Sequence, residues 1–417
     1  MAEVRGFRGF RYNRNQVGDY SKVVTPPFDV ITPEERTELY GRSPHNYARL
    51  ILPDERGDLS KYEASASDLE AWIAAGVLQQ DEEDSFYLLE QRFTSLDGTE
   101  CVRRGFFAVT KIPEPGDETV LGHERTFEWK VTDRLALTGA TKANLGAVFV
   151  LYDDPQHALG QFLAQMDSRP EDLAAQTIDG VQQRVWRVPA DPSVTAFFKD
   201  KKLYIADGHH RYRTAHTYRD QMRLQEKPEG LRPYDYVLMG FVSLDDPGLF
   251  VYPAHRVLDE PEGFDEAAFL KGLEPWFAIE KVSDHLPRRV QTEPDCAIGV
   301  VLRSGSQYLL RLRDIDRVDL LGDAHGSAWR DLDVAVLHGG ILERVLDLHA
   351  DSEFVYEKDV NAAVSAVLNG KKGMAFILRN MHPSQVCACA DARESMPQKA
   401  TYFFPKLPSG AVLHRLV

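Results

Sequence analysis

The chain has 417 residues, 43% of them hydrophobic, with a formal net charge of −15 from 49 basic and 64 acidic side chains. That length and apolar content suit an enzyme-sized protein of two or more domains, and exclude a small stapled scaffold or a disordered tether. The acidic balance argues against a nucleic-acid or anionic-membrane binder, because such partners reward a surplus of lysine and arginine. Cys101, Cys296, Cys387 and Cys389 are too scattered for a disulfide framework. Residues 1–14 lack the apolar core of a signal peptide, and no run is long enough to cross a bilayer, so a cytoplasmic protein is expected.

In chain order, Thr32-Pro33-Glu34-Glu35 reads as a capping box with proline at the first helical position, opening a helix to about Tyr40. Asn46 and Arg49 stand in an alternating segment that suggests a strand edge, from which Arg49 would reach a ligand. A second helix is expected over residues 59–75. Segments 85–89 and 105–111 read as a hairpin-like strand pair bridged by Asp97-Gly98. Residues 147–151, 203–206 and 236–242 are short continuous apolar runs, the pattern of strands buried on both faces. The acidic, proline-containing stretch 258–263 reads as a linker, which predicts an α/β unit over 1–257 and a smaller α+β unit over 264–417. In the latter, 297–302 and 308–312 form a hairpin around Arg303-Ser304-Gly305-Ser306. An amphipathic helix follows at 331–346, then strands at 374–378 and 401–404. Cys387 and Cys389 would lie on one face of a strand.

The most informative segment is Lys201 to Arg211, in which an apolar strand runs into Asp207-Gly208-His209-His210-Arg211. Tyr212, Ala215, Tyr218 and Met222 recur at helical spacing, so the turn opens a helix with Asp207 as its cap. Unpaired backbone N–H groups and the positive end of the helix dipole then point where His209, His210 and Arg211 gather, a design for phosphate or carboxylate. A metal held by Asp207 with the histidines ranks lower, since adjacent helical side chains diverge by about 100°. Other polar groups fall outside this segment. His123 and Glu124 follow an irregular stretch and suit a general base or an Mg²⁺ ligand. His255 and Arg256 follow an apolar run, and Lys399 precedes a strand. No nucleophile elbow, Walker-type phosphate loop or dinucleotide fingerprint is present.

In these motifs the chain resembles the domain of unknown function 1015 family. The resemblance runs through Pro26-Pro27-Phe28-Asp29-Val30-Ile31, Asn46 with Arg49-Leu50, His123-Glu124 with Asp133-Arg134-Leu135, and Ala206 to Arg211. It continues through Pro247-Gly248-Leu249, Pro253 with His255-Arg256, and Met396-Pro397-Gln398-Lys399 to Pro405-Lys406. The family pattern has tyrosine where this chain has Phe28 and threonine where it has Ala254. Locally, the Asp-Gly-His-His-Arg turn resembles the phosphate-binding turn of the ParB and sulfiredoxin superfamily, which includes free-serine kinases. That resemblance implies a mixed-sheet core with a strand-turn-helix phosphate site, Gly208, His210 and Arg211 holding a nucleotide's phosphates, and Mg²⁺ and a glutamate nearby.

The expected function is phosphoryl transfer or phosphate-ester hydrolysis on a small metabolite, with serine or phosphoserine as the leading case. In that reading Asp207 to Arg211, Asn46, Arg49, His255, Arg256 and Lys399 bind phosphate or substrate. His123, Glu124 and His209 handle protons, and Glu124 and Asp207 hold any metal. The alternatives are a nucleotide-binding regulatory module without turnover, and a metal-dependent hydrolase using His123, Glu124, His209 and His255.

Overall fold

The computed structural model describes residues 2–114, 116–348 and 353–417. It is a mixed α/β structure of two compact units. Unit 1 comprises Met1–Gly122, Thr126–Leu249 and Pro405–Val417, and unit 2 comprises His123–Arg125 and Phe250–Phe404.

Among the described residues, unit 1 is built on a nine-stranded mixed sheet. Its strands are β1 (Val4–Arg5), β2 (Ser85–Thr94), β3 (Glu100–Lys111), β4 (Val120–Leu121), β5 (Val148–Tyr152), β6 (Leu173–Gln176), β7 (Gln182–Pro189), β8 (Leu203–Asp207) and β9 (Tyr236–Ser243). Their order is β4-β8-β5-β9-β3-β2-β7-β6, with β1 pairing on β3. β2 and β3 form the long hairpin around Asp97-Gly98, where Gly98 takes a positive φ of 89°. β5 and β9 run parallel, as do β4 and β8, while β8 and β5 are antiparallel.

Strand alternation sends Phe86, Leu88, Phe106, Ala108, Val150, Ile205, Met239 and Phe241 to one face, where they form the main core. Phe106 and Phe241 stack there at 4.9 Å between centroids. On the opposite face Gln183, Gln91 and Arg103 stand directly across from one another on β7, β2 and β3. Two helices matter to the candidate site, α1 (Glu128–Thr141) and α2 (His209–Glu226).

Among the described residues, unit 2 carries a six-stranded antiparallel sheet formed by β11 (His255–Leu258), β12 (Phe277–Val282), β13 (Ala297–Leu302), β14 (Gln307–Leu312), β15 (Val355–Glu357) and β16 (Met374–Leu378), in the order β12-β14-β13-β16-β11-β15. β10 (Phe250–Tyr252) pairs separately with β17 (Tyr402–Phe404). The expected helix at 331–346 is broken into Asp333–Ala335 and a π-helical stretch, Val336–Glu343, in which Gly339-Gly340 lets the helix pack closely on Leu320 and Leu321. Cys387 and Cys389 lie in a helix, Pro383–Asp391, not a strand. Pro383 and the cap at His382 start it, a signal that strand alternation hides.

Gly105 marks the tightest strand contact near the site, since a Cβ there would sit 2.3 Å from the Phe241 carbonyl oxygen of β9. Gly139, inside α1, has open space around it. Gly105→Ala is expected to lower stability by about 1–3 kcal/mol through overpacking, whereas Gly139→Ala should be neutral or raise it by up to about 1 kcal/mol. Urea unfolding of the two variants checks this, and equal midpoints would contradict it.

Candidate functional site

Strand β8 is apolar and buried until Asp207, where its pairing with β5 shifts register and sets Asp207 opposite Phe149. Gly208 then adopts φ 91°, ψ 26° and becomes the cap of the 18-residue helix α2. Asp207, expected as that cap, is the last strand residue instead, and its side chain faces cations. The left-handed backbone favours glycine, and space requires it as well. A Cβ at position 208 would lie 2.9 Å from Arg211 Nε and 3.0 Å from its Cζ. The Arg211 guanidinium therefore folds back over the turn.

There Arg211 Nη2 pairs with Asp207 Oδ2 at 2.5 Å, and Arg211 Nη1 donates to the Ala147 carbonyl. Asp207 Oδ1 takes a second cation, Lys406 Nζ. All three side chains are largely buried, at 14% exposure for Arg211, 13% for Asp207 and 9% for Lys406. Burial alone would raise the Asp207 carboxyl, but the Lys406 and Arg211 charges overcome it and hold the group at about 2. His209 is buried with its ring against Gly122, and desolvation pushes it down to about 3, so it is neutral near pH 7. Two cations, Arg211 and Lys406, thus gather on one carboxylate at the positive end of a helix.

The three side chains after Gly208 diverge. His210 turns to Phe127, stacking on its ring with centroids 6.1 Å apart, and its Nε2 accepts the Phe127 N–H at 3.0 Å. Burial, then Lys130, lowers its pKa, which agrees with a neutral ring whose Nε2 is an acceptor. Only Arg211 reaches the adjoining cavity of about 50 Å³, which is lined by Arg134, Phe28, Thr138, Asn144, Gly146 and Ser409 among others. That volume suits a few waters or one phosphoryl-sized group.

Arg134 crosses the Phe28 ring at 4.3 Å and donates to the Ile51 carbonyl at 2.9 Å. Its partner Asp133 also accepts from Lys61 Nζ at 2.7 Å and Tyr62 Oη at 2.9 Å, and these groups hold the Asp133 carboxyl at about 2 against the opposing effect of burial.

Lys406 and Arg134 were not among the expected site residues, although both lie in motifs that carry the family resemblance. Lys406 is held by the polar ladder on the sheet's second face. Gln91 Nε2 donates to Gln183 Oε1 and to the Lys406 carbonyl, each at 2.9 Å. Gln91 Oε1 in turn accepts from Arg103 Nε at 3.0 Å, and Arg103 Nη2 donates to the Pro405 carbonyl at 2.5 Å. Arg103 is fully buried over the Phe149 ring, and desolvation brings it down to about 9. Polar residues at inward positions of otherwise apolar strands are the sequence signal that marks this ladder.

Asn46 and Arg49 belong to unit 1 but serve its backbone. Asn46 Nδ2 donates to the Lys22 carbonyl at 2.7 Å and its Oδ1 accepts the Ala48 N–H at 2.9 Å. This turn starts a short helix, Ala48–Ile51, where a strand edge was expected. Arg49 lies over Tyr40 at 4.4 Å and donates to its carbonyl at 2.9 Å.

The other expected residues lie in unit 2. His123 is buried, with Nε2 3.4 Å from Thr401 Oγ1, and Glu124 is exposed. His255 Nδ1 accepts the Leu378 N–H at 3.2 Å, and burial lowers it to about 4. Arg256 donates to His338 Nε2 at 3.1 Å and the Gln398 carbonyl at 3.0 Å, and burial brings it down to about 10. Lys399 is exposed, with φ 53°.

The turn does not fit a metal ion. Both Asp207 oxygens face cations, which would repel Mg²⁺, and among the described residues no group of three or more His, Cys, Asp or Glu could hold one. No helix of the described residues is long and apolar enough to cross a membrane.

Fold and site together define a mixed α/β protein with a buried basic cluster on a strand-turn-helix. The chain belongs to the family described as "Protein of unknown function (DUF1015)", whose model matches residues 4–335. No curated protein matches the chain. Among solved structures it is similar to a conserved hypothetical protein from Pyrococcus furiosus, at 10% identity over 70% of this chain and 90% of that one, with a TM-score of 0.34. It is also similar to a free serine kinase in complex with AMP, at 10% identity over 68% and 83% of the two chains, TM-score 0.34. A third is C-terminally truncated SbnI from Staphylococcus aureus, at 10% identity over 72% and 84%, TM-score 0.35.

Two predictions follow from the charge cluster. Asp207→Asn should strand the Arg211 and Lys406 charges and cost about 3–5 kcal/mol, measurable by denaturant unfolding; Lys406→Met added to it should recover part of the loss. Below pH 6.5 the unfolded chain protonates His209 while the folded one does not, so stability should fall as pH drops from 6.5 toward 3 and stay flat above. By pH 5 this residue alone should cost on the order of 2 kcal/mol. His209→Gln should flatten that slope by about one proton, and an unchanged slope would refute the assignment.

Proposed function

We propose that unit 1 binds the phosphate of a small phosphorylated metabolite and that the protein performs phosphoryl transfer or phosphate-ester hydrolysis on it, with serine and phosphoserine the first substrates to try. The observation that carries this reading is the pair of buried cations, Arg211 and Lys406, gathered on one carboxylate at the start of α2, with Arg211 and Arg134 both lining a cavity of about 50 Å³. An anion in that cavity would meet Arg211 and Arg134 together.

His209, at about 3, is a poor proton carrier near neutral pH, so in this reading it supports the turn. A nucleotide is the natural phosphate donor in the transfer version. Binding without turnover is the second reading, and it is favoured by the commitment of Asp207 to two cations and the neutrality of His209.

Thermal-shift screening with inorganic phosphate, phosphoserine, AMP, ADP and ATP, followed by calorimetric titration, tests the binding step. Arg211→Lys keeps the charge but loses the planar fork, so affinity should fall about ten- to a hundredfold. Equal affinities for the variant and the parent would place Arg211 outside the ligand site. Product analysis of serine with ATP, and of phosphoserine alone, separates turnover from binding.

A further inference from the structure

Arg134 lines a second pocket besides the Arg211 cavity, a space of about 220 Å³ formed with Arg36, Leu52, Pro53, Asp54, Lys61 and Tyr62. Around this pocket the cations outnumber the acids. Arg36, Lys61 and Arg134 face Asp54 and Asp133, and Asp54 is 62% exposed whereas Arg134 is only 12% exposed. The Leu52 carbonyl at the pocket's wall already accepts from Arg36, and the neighbouring Ile51 carbonyl accepts from Arg134. Three cations and one carboxylate, the exposed Asp54, therefore border this space on a chain of net charge −15. Such local inversion of charge selects an anion.

We infer that this pocket takes a second acidic group of the same ligand, so that the substrate is a small phosphorylated acid whose phosphate meets Arg211 and whose other anionic group meets Lys61 and Arg36, with Arg134 between them. The inference rests on the phosphate reading of the Arg211 cavity. Arg134 suits the shared position because it touches both spaces and its orientation is fixed. Asp133 accepts from its Nε at 2.8 Å, the Ile51 carbonyl accepts from Nη1, and Phe28 lies against its plane. A planar fork held in this way discriminates geometry as well as charge.

The experiment titrates the full chain with 3-phosphoglycerate and with glycerol 3-phosphate, which differ at the end remote from the phosphate by one carboxylate. The expected result is at least about tenfold tighter binding of 3-phosphoglycerate, the scale of one charge-assisted contact. Lys61→Met, at a side chain 42% exposed, should bring that ratio toward one by weakening 3-phosphoglycerate more than glycerol 3-phosphate; Arg36→Met should do the same, and melting curves confirm that each variant folds. Equal affinities of the parent protein for the two compounds, or a ratio that survives both substitutions, overturns the second-acid assignment and leaves the phosphate site standing. Failure of both compounds and of inorganic phosphate to bind overturns the phosphate reading and this inference with it.

Discussion

One buried carboxylate organises the candidate site. Asp207 sits between Arg211 and Lys406, and each of its oxygens is met by a different cation. Without Asp207, two positive charges would share a poorly solvated volume. Without the cations, burial would protonate the carboxyl. The glycine at 208, the bulge that turns Asp207 toward the second sheet face, and the ladder that delivers Lys406 all serve this arrangement.

The ladder shows how a sheet can fix a distant segment. Gln183, Gln91 and Arg103 are placed across three adjacent strands by register alone, and together they grip the carbonyls of Pro405 and Lys406. A buried polar network of this kind is costly unless its groups are paired, so it tolerates few alternative arrangements. The position of Lys406 is therefore a property of the sheet more than of its own neighbours in the chain. His209 contributes differently, as a neutral ring packed against Gly122 that fills space beside the charges without adding to them.

Basic groups in unit 1 meet again around Arg134, where Asp133 plays for Lys61 and Arg134 the part Asp207 plays for Arg211 and Lys406. In both places a carboxylate orients two cations. Such paired cations stand out on a chain with 64 acidic side chains against 49 basic ones.

The sequence by itself determined the local pieces. The apolar run into Asp207-Gly208, the capping box at Thr32, the Asp97-Gly98 hairpin and the helix after Gly208 all rest on neighbouring residues, whose turn chemistry and periodicity are readable along the chain. It was less informative where two local patterns compete, as at Asn46–Leu50, where side-chain capping overrode an apparent alternation, and at Cys387–Cys389, where a proline start outweighed it. Tertiary structure alone decided which charges meet. Lys406 lies 199 residues from Asp207 and Gln91 lies 315 from Lys406, and no periodicity spans such separations. It also parted His209, His210 and Arg211, which adjacency in sequence had grouped. On a helix, consecutive side chains point about 100° apart, and what each one meets depends on the strand, loop or cavity that the rest of the fold brings alongside.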